Sequence, residues 1–101
     1  MKPAPASRFL VLVPYDPAEA ITLRVAAERA GKSQTTVRNW CEAHGIGRRV
    51  VGGVWQVSQV ALAMLLEDDR IALLQYLDGD RSSPAVKCYF ERLRLRTSGG
   101  H

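Results

Sequence analysis

Between Thr22 and His44 the chain carries two helical stretches with almost nothing between them, and that spacing limits what it can fold into. Thr22 is placed to cap a helix from Leu23 to Ala30, because its hydroxyl can accept an unpaired N–H of the first turn. Gly31 ends that helix, since glycine takes the left-handed conformation at little cost. Only Lys32 then precedes Ser33, the expected cap of a second helix running to about His44 and stopping at Gly45. Two short helices joined by so tight a turn form a helix-turn-helix pattern. Small side chains at Ala26, Ala27 and Ala30 suit it, because they let the first helix approach the second closely.

The rest of the chain parses around this pair. Residues 1–20 are expected to be an N-terminal arm: a mobile Pro/Ala stretch over 1–7, then a possible short strand from Arg8 to Val13 ended by Pro14-Tyr15-Asp16-Pro17. Downstream, Arg48 to Val51 and Val54 to Val57 have the composition of two strands, and Gly52-Gly53 between them suits a two-residue hairpin turn. Ser58 can cap a helix through about Glu67, and Asp69 another from Arg70 to Asp78, closed by Gly79. Ser83-Pro84 marks the start of a last helix to about Leu95, before a frayed tail over 97–101. The expectation is a mainly α fold: residues 21–66 as the central domain with a β-hairpin, and 67–96 as C-terminal helices packed on it.

Laying residues 34–44 on a wheel at 100° per residue separates them by chemistry. Gln34, Thr35, Arg38, Asn39 and Glu42 fall within one arc of about 140°, and Val37, Trp40, Cys41 and His44 lie opposite. Val37 and Trp40 are expected to pack on the first helix, and Trp55 to anchor the hairpin. The polar arc holds Gln, Arg and Asn, the side chains that make paired hydrogen bonds to adenine or guanine edges in the major groove. A merely solvated face would also be polar. What distinguishes this one is the bias to base-reading side chains in the N-terminal half, the part a reader helix presents to DNA.

Charge points the same way. The net charge is +4, and residues 24–49 concentrate it: Arg24, Arg29, Lys32, Arg38, Arg48 and Arg49 face only Glu28 and Glu42. A basic block around such a helix suits a polyanion, because each neutralised phosphate releases counterions. Residues 67–80 are acidic by contrast. No apolar run approaches the roughly 18 residues of a membrane span. The start of the chain only loosely resembles a signal peptide, so a cytoplasmic, nucleoid-associated location is expected, with no membrane partner.

The segments ITLRVAAERAGKSQTTVRNWCEAHGI and RRVVGGVWQVSQVAL together resemble the winged helix-turn-helix of the MerR-like superfamily, and most closely its small excisionase-type members. The matching positions are Thr22, Ala26-Ala27, Gly31, Ser33, Thr36, Val37, Arg38, Trp40, Gly53, Trp55, Val57 and Ser58, over about residues 21–66. The resemblance implies that Arg38 contacts double-stranded DNA from the recognition helix and that the hairpin is a wing near the phosphates or minor groove. The recognition set is then Ser33, Gln34, Thr35, Thr36, Arg38 and Asn39; Arg24, Lys32, Arg48, Arg49 and Gln56 form the backbone and wing set. Two departures matter. Many relatives carry a basic residue where this chain has Gln56, and the expected tip, Gly52-Gly53, is uncharged. The long coiled-coil helix and effector domain of larger relatives are missing, which implies an architectural DNA binder or minimal regulator.

Relatives of this build act as recombination directionality factors that bind cooperatively and bend DNA, which would make a recombinase a partner. Others are small transcription regulators. Two alternatives stay open: DNA recognition like that of a phage terminase small subunit, and a winged-helix protein-interaction module using the stretch Leu62–Leu77 and Tyr89-Phe90. An enzyme is not expected. Glu67-Asp68-Asp69 has no indicated pocket, and Cys41, His44 and Cys88 lack a fourth ligand, so no metal or cofactor is expected. One module of this size gives a small DNA footprint. The chain is therefore expected to bind as a homo-oligomer or cooperative assembly, with Val86, Tyr89, Phe90 and Leu93 as either core or contact surface.

Overall fold

A computed structural model describes residues 10–13, 15–49 and 53–95. Five helices and a three-stranded antiparallel sheet follow in the order β1 (Ala20–Thr22), α1 (Leu23–Ala30), α2 (Gln34–His44), β2 (Gly47–Arg49), β3 (Trp55–Ser58), α3 (Gln59–Leu66), α4 (Arg70–Leu77) and α5 (Pro84–Arg92). The fold is mainly helical, and the sheet order β1-β3-β2 makes β3 the central strand. The expected arm over 1–7, the tail over 97–101 and most of the hairpin turn lie outside the described residues.

Local chemistry sets the helix starts. Thr22, Ser33, Ser58 and Asp69 each accept a backbone N–H three residues on, from Val25, Thr36, Ala61 and Ala72. Ser83 is the exception. Its side chain makes no cap bond, and its hydroxyl and N–H turn back to the Asp80 carboxylate, which also holds the N–H of Ser82. The last helix stops at Arg92, short of the expected Leu95, and Arg94 beyond it has φ +59°.

The strand expected over Arg8–Val13 is not found among its described residues, 10–13. That run is a turn in which Val11 and Leu12 are buried and Leu10 and Val13 exposed, with Leu12 at φ +56°. The N–H of Leu10 donates to the Leu77 carbonyl at 2.9 Å and that of Leu12 to the Tyr76 hydroxyl at 3.0 Å. These bonds satisfy the backbone against α4 in place of a strand ladder. The strand that joins the hairpin is Ala20–Thr22 instead, paired with β3 as Ala20↔Ser58, Ile21↔Val57 and Thr22↔Gln56. Val11 and Leu12 are core residues, so the packed interior begins ahead of residue 21.

The hairpin register also differs from expectation. A two-residue turn at Gly52-Gly53 would pair Arg48 with Val57, whereas the observed pairs are Arg48↔Gln56 and Arg49↔Trp55. A one-residue slip moves every side chain to the opposite face. By strand alternation, Ile21, Gly47, Arg49, Trp55 and Val57 share the face toward α2, and Ala20, Thr22, Arg48, Gln56 and Ser58 share the other.

That second face closes over a buried polar cluster. Glu19 accepts hydrogen bonds from the hydroxyls of Ser58 and Tyr76. Arg81 stacks 3.8 Å over the Tyr76 ring and donates to the carbonyls of Tyr76, Leu10 and Val13. The core also holds Val37, Val57, Val60, Leu62, Met64, Val86 and Phe90, all nearly inaccessible. Val86, Tyr89 and Phe90 of α5 are therefore core, and Leu93 packs partly against it.

Candidate nucleic-acid interface

α1 and α2 meet through the smallest side chains available. Ala26 and Ala27 are buried on α1, opposite Val37 and Cys41 on α2. Gly31, at φ +69°, ends α1, and the Lys32 N–H returns to the Ala27 carbonyl at 3.0 Å. Burial, and the charge of adjacent Glu42, push the Cys41 thiol up to about 11, so it stays a neutral packing group at neutral pH.

The hairpin is seated on α2 by Gly47. A side-chain carbon there would lie 2.6 Å from Cys41 Sγ and 2.7 Å from the Gln56 carbonyl oxygen. Glycine is the residue that lets the strand approach this closely.

Five of the six expected recognition-helix residues are exposed, Ser33 and the four helical residues Gln34, Thr35, Arg38 and Asn39. Among the described residues, none of the four makes a side-chain hydrogen bond or ion pair. Ser33 and Thr36 are different. The Ser33 hydroxyl accepts the Thr36 N–H at 3.1 Å and donates to the Thr36 hydroxyl at 3.0 Å, so both are engaged in the cap. Val37 is fully buried as expected. Trp40 and Trp55 are half-buried and pack against the margin of the core, not within it.

The backbone and wing set divides sharply. Lys32 is exposed in the turn before α2. Arg24 is exposed, with an i,i+4 ion pair to Glu28 at 3.2 Å. Such a solvated pair contributes only about 0.3–0.5 kcal/mol and can yield to a phosphate. Arg49 is exposed at the end of β2, on the α2 side of the sheet, and its Nε donates to the Gly53 carbonyl at 3.1 Å. Arg48 points the other way: half-buried, it reaches toward the Leu12 carbonyl at 3.5 Å. Gln56 sits on the central strand with its side-chain oxygen buried and unpaired among the described residues. Arg48 and Gln56 therefore do not join Arg49 at one surface, because adjacent strand residues face opposite sides.

Sequence reasoning missed the concavity between these parts. Thr22, Leu23, Arg24, Gln34, Val54 and Trp55 line an open groove of about 300 Å³ between the helix starts and the hairpin. Val54 at its rim is 73% exposed. Its only signal in the sequence is a large apolar residue directly after the Gly-Gly pair.

The acidic cluster is occupied by structure. Glu67 is held by Arg92 and lies within hydrogen-bond reach of Tyr89, and the Arg92 contact keeps its carboxyl below the usual range. Asp69 caps α4 and meets the Tyr89 hydroxyl at 2.9 Å. Among the described residues no cluster of three His, Cys, Asp or Glu is placed to hold a metal ion, and no helix is long and apolar enough to cross a membrane. Comparison with protein-family models, with curated proteins and with solved structures returned no match.

Proposed function

We propose that this chain binds double-stranded DNA as a winged helix-turn-helix protein, acting as an excisionase-type directionality factor or a small transcriptional regulator. In this reading α2 is the recognition helix and the β2–β3 hairpin is the wing. The observation that carries it is the run of exposed Gln34, Thr35, Arg38 and Asn39 on the first two turns of α2, without side-chain partners among the described residues, with Arg49 on the same side of the sheet as α2. Those four side chains read base edges. Lys32, Arg24 and Arg49 lie around them as phosphate contacts, which fix register and orientation without carrying sequence information. The groove between Gln34 and Val54–Trp55 accommodates one strand of the duplex backbone.

The division within the wing refines the role of each arginine. Arg49 is a phosphate contact, and Arg48 holds the hairpin to the segment around Leu12. Selection from a randomised duplex pool tests the proposal. The wild-type chain should enrich a defined motif, and Arg38→Ala should flatten that motif while leaving the helical circular-dichroism spectrum unchanged. A pool that emerges as random as it began, from a folded wild-type protein, would overturn it.

A further inference from the structure

We infer that the exposed face of α4 docks a second copy of this chain in antiparallel register, with Leu74 on the two-fold axis. One side of α4 is core: Ala72, Leu73, Tyr76 and Leu77 are buried. The other side presents Ile71 and Leu74 at 72% and 65% exposure, unusually high for large apolar side chains on a helix packed into the core. On a helical wheel Arg70, Leu74, Asp78 and Ile71 fall within an arc of about 100°, so they form one strip.

The charges on this strip identify the occupant. Arg70 begins α4 and Asp78 is its C-cap, a cation at the positive end of the helix dipole and an anion at the negative end. Each sits where its own helix disfavours it. An antiparallel copy reverses the order, so that Arg70 meets the partner's Asp78 on both sides of the axis. Leu74 then packs on the partner's Leu74, and Ile71 meets the partner's Leu77. Leu77 lines an apolar groove of about 190 Å³, shared with Ala43, Leu65, Leu73 and Leu74, into which the partner's Ile71 fits. The existing Arg70–Asp68 pair, at 3.4 Å with side chains 80% and 84% exposed, is too screened by solvent to compete. The groove adjoins Ala43 and His44, at the C-terminal end of α2, about 15 Å along the helix from its first residue. A dimer formed here leaves the start of α2 clear.

This surface does not depend on the DNA reading, and its test contains no DNA. Sedimentation equilibrium of the full chain, over a series reaching about 1 mM, should show a monomer–dimer equilibrium. Leu74→Glu should abolish the dimer without changing the thermal midpoint at a dilution where the wild type is monomeric. Arg70→Asp and Asp78→Arg should each weaken association by about tenfold, and the double exchange should restore it, since like charges then no longer face each other. A wild-type chain monomeric across the series would overturn the inference. So would a dimer indifferent to Leu74→Glu, or a double exchange no better than either single change.

Discussion

Gly47→Ala tests the contact that holds the hairpin against α2. The added methyl would lie 2.6 Å from Cys41 Sγ, 2.7 Å from the Gln56 carbonyl oxygen and 3.3 Å from Val57 Cα. The sulfur is buried at 3% exposure between the helices and the sheet, and the carbonyl belongs to the central strand's backbone, so neither retreats freely. Overpacking of this kind costs about 1–3 kcal/mol. Against it stands about 0.4–1 kcal/mol gained because alanine has less freedom than glycine to lose on folding. The expected net loss is about 1 kcal/mol, which is appreciable against a small domain's stability of about 5–15 kcal/mol. Cys41→Ala removes one of the two close contacts, so the double variant should lose about 1 kcal/mol less than the sum of the single changes. Urea denaturation followed by tryptophan fluorescence suits the question, because Trp55 reports on the hairpin and Trp40 on α2. A Gly47→Ala loss below about 0.5 kcal/mol, or full additivity with Cys41→Ala, would refute the steric account.

Other perturbations separate the roles assigned to neighbouring residues. Arg38→Ala should cost about 1–3 kcal/mol on a selected site and far less on random duplex, measured by competition anisotropy. Arg49→Ala should weaken all sequences alike and reduce the salt slope by about one, whereas Arg48→Ala should leave the slope unchanged and lower the unfolding midpoint. Tyr76→Phe removes the hydroxyl that donates to buried Glu19 and accepts the Leu12 N–H, so it should destabilise by about 2–4 kcal/mol in denaturant titration. Burial raises the Glu19 carboxyl above its ordinary value of 4.5, so the folded chain holds that proton more tightly than the unfolded chain. Its contribution to stability is then full below pH 4.5 and declines as pH rises through the folded value, and Glu19→Gln should flatten that decline in melts across pH.

What was legible in the sequence was what depends on near neighbours. The caps at Thr22, Ser33, Ser58 and Asp69 need only a hydroxyl or carboxylate three residues before an N–H. Gly31 and Gly45 end their helices in the left-handed conformation for the same local reason. The sheet was harder. Leu10–Val13 has strand composition, yet its backbone partners are Leu77 and the Tyr76 side chain, more than sixty residues away in sequence and invisible to local pattern. Ala20–Thr22 is too short to announce itself, and only its pairing with β3 makes it a strand. The hairpin register is set by the pairing of β2 with β3, and one residue of difference decides that Arg49, not Arg48, shares a side with α2. Of the expected interface residues, the exposed face of α2 followed directly from helical periodicity. Arg48 and Gln56 did not, because neighbours along a strand face opposite sides and only the register fixes which side each takes.

The most direct test of the central claim is the salt dependence of binding to a random-sequence duplex, followed by fluorescence anisotropy of labelled DNA. If Arg24, Lys32 and Arg49 meet the phosphates of the duplex, log K should fall linearly with log salt with a slope of about −3, since each neutralised phosphate contributes about −0.9. No binding at low salt, or binding whose affinity is indifferent to salt, would contradict the account.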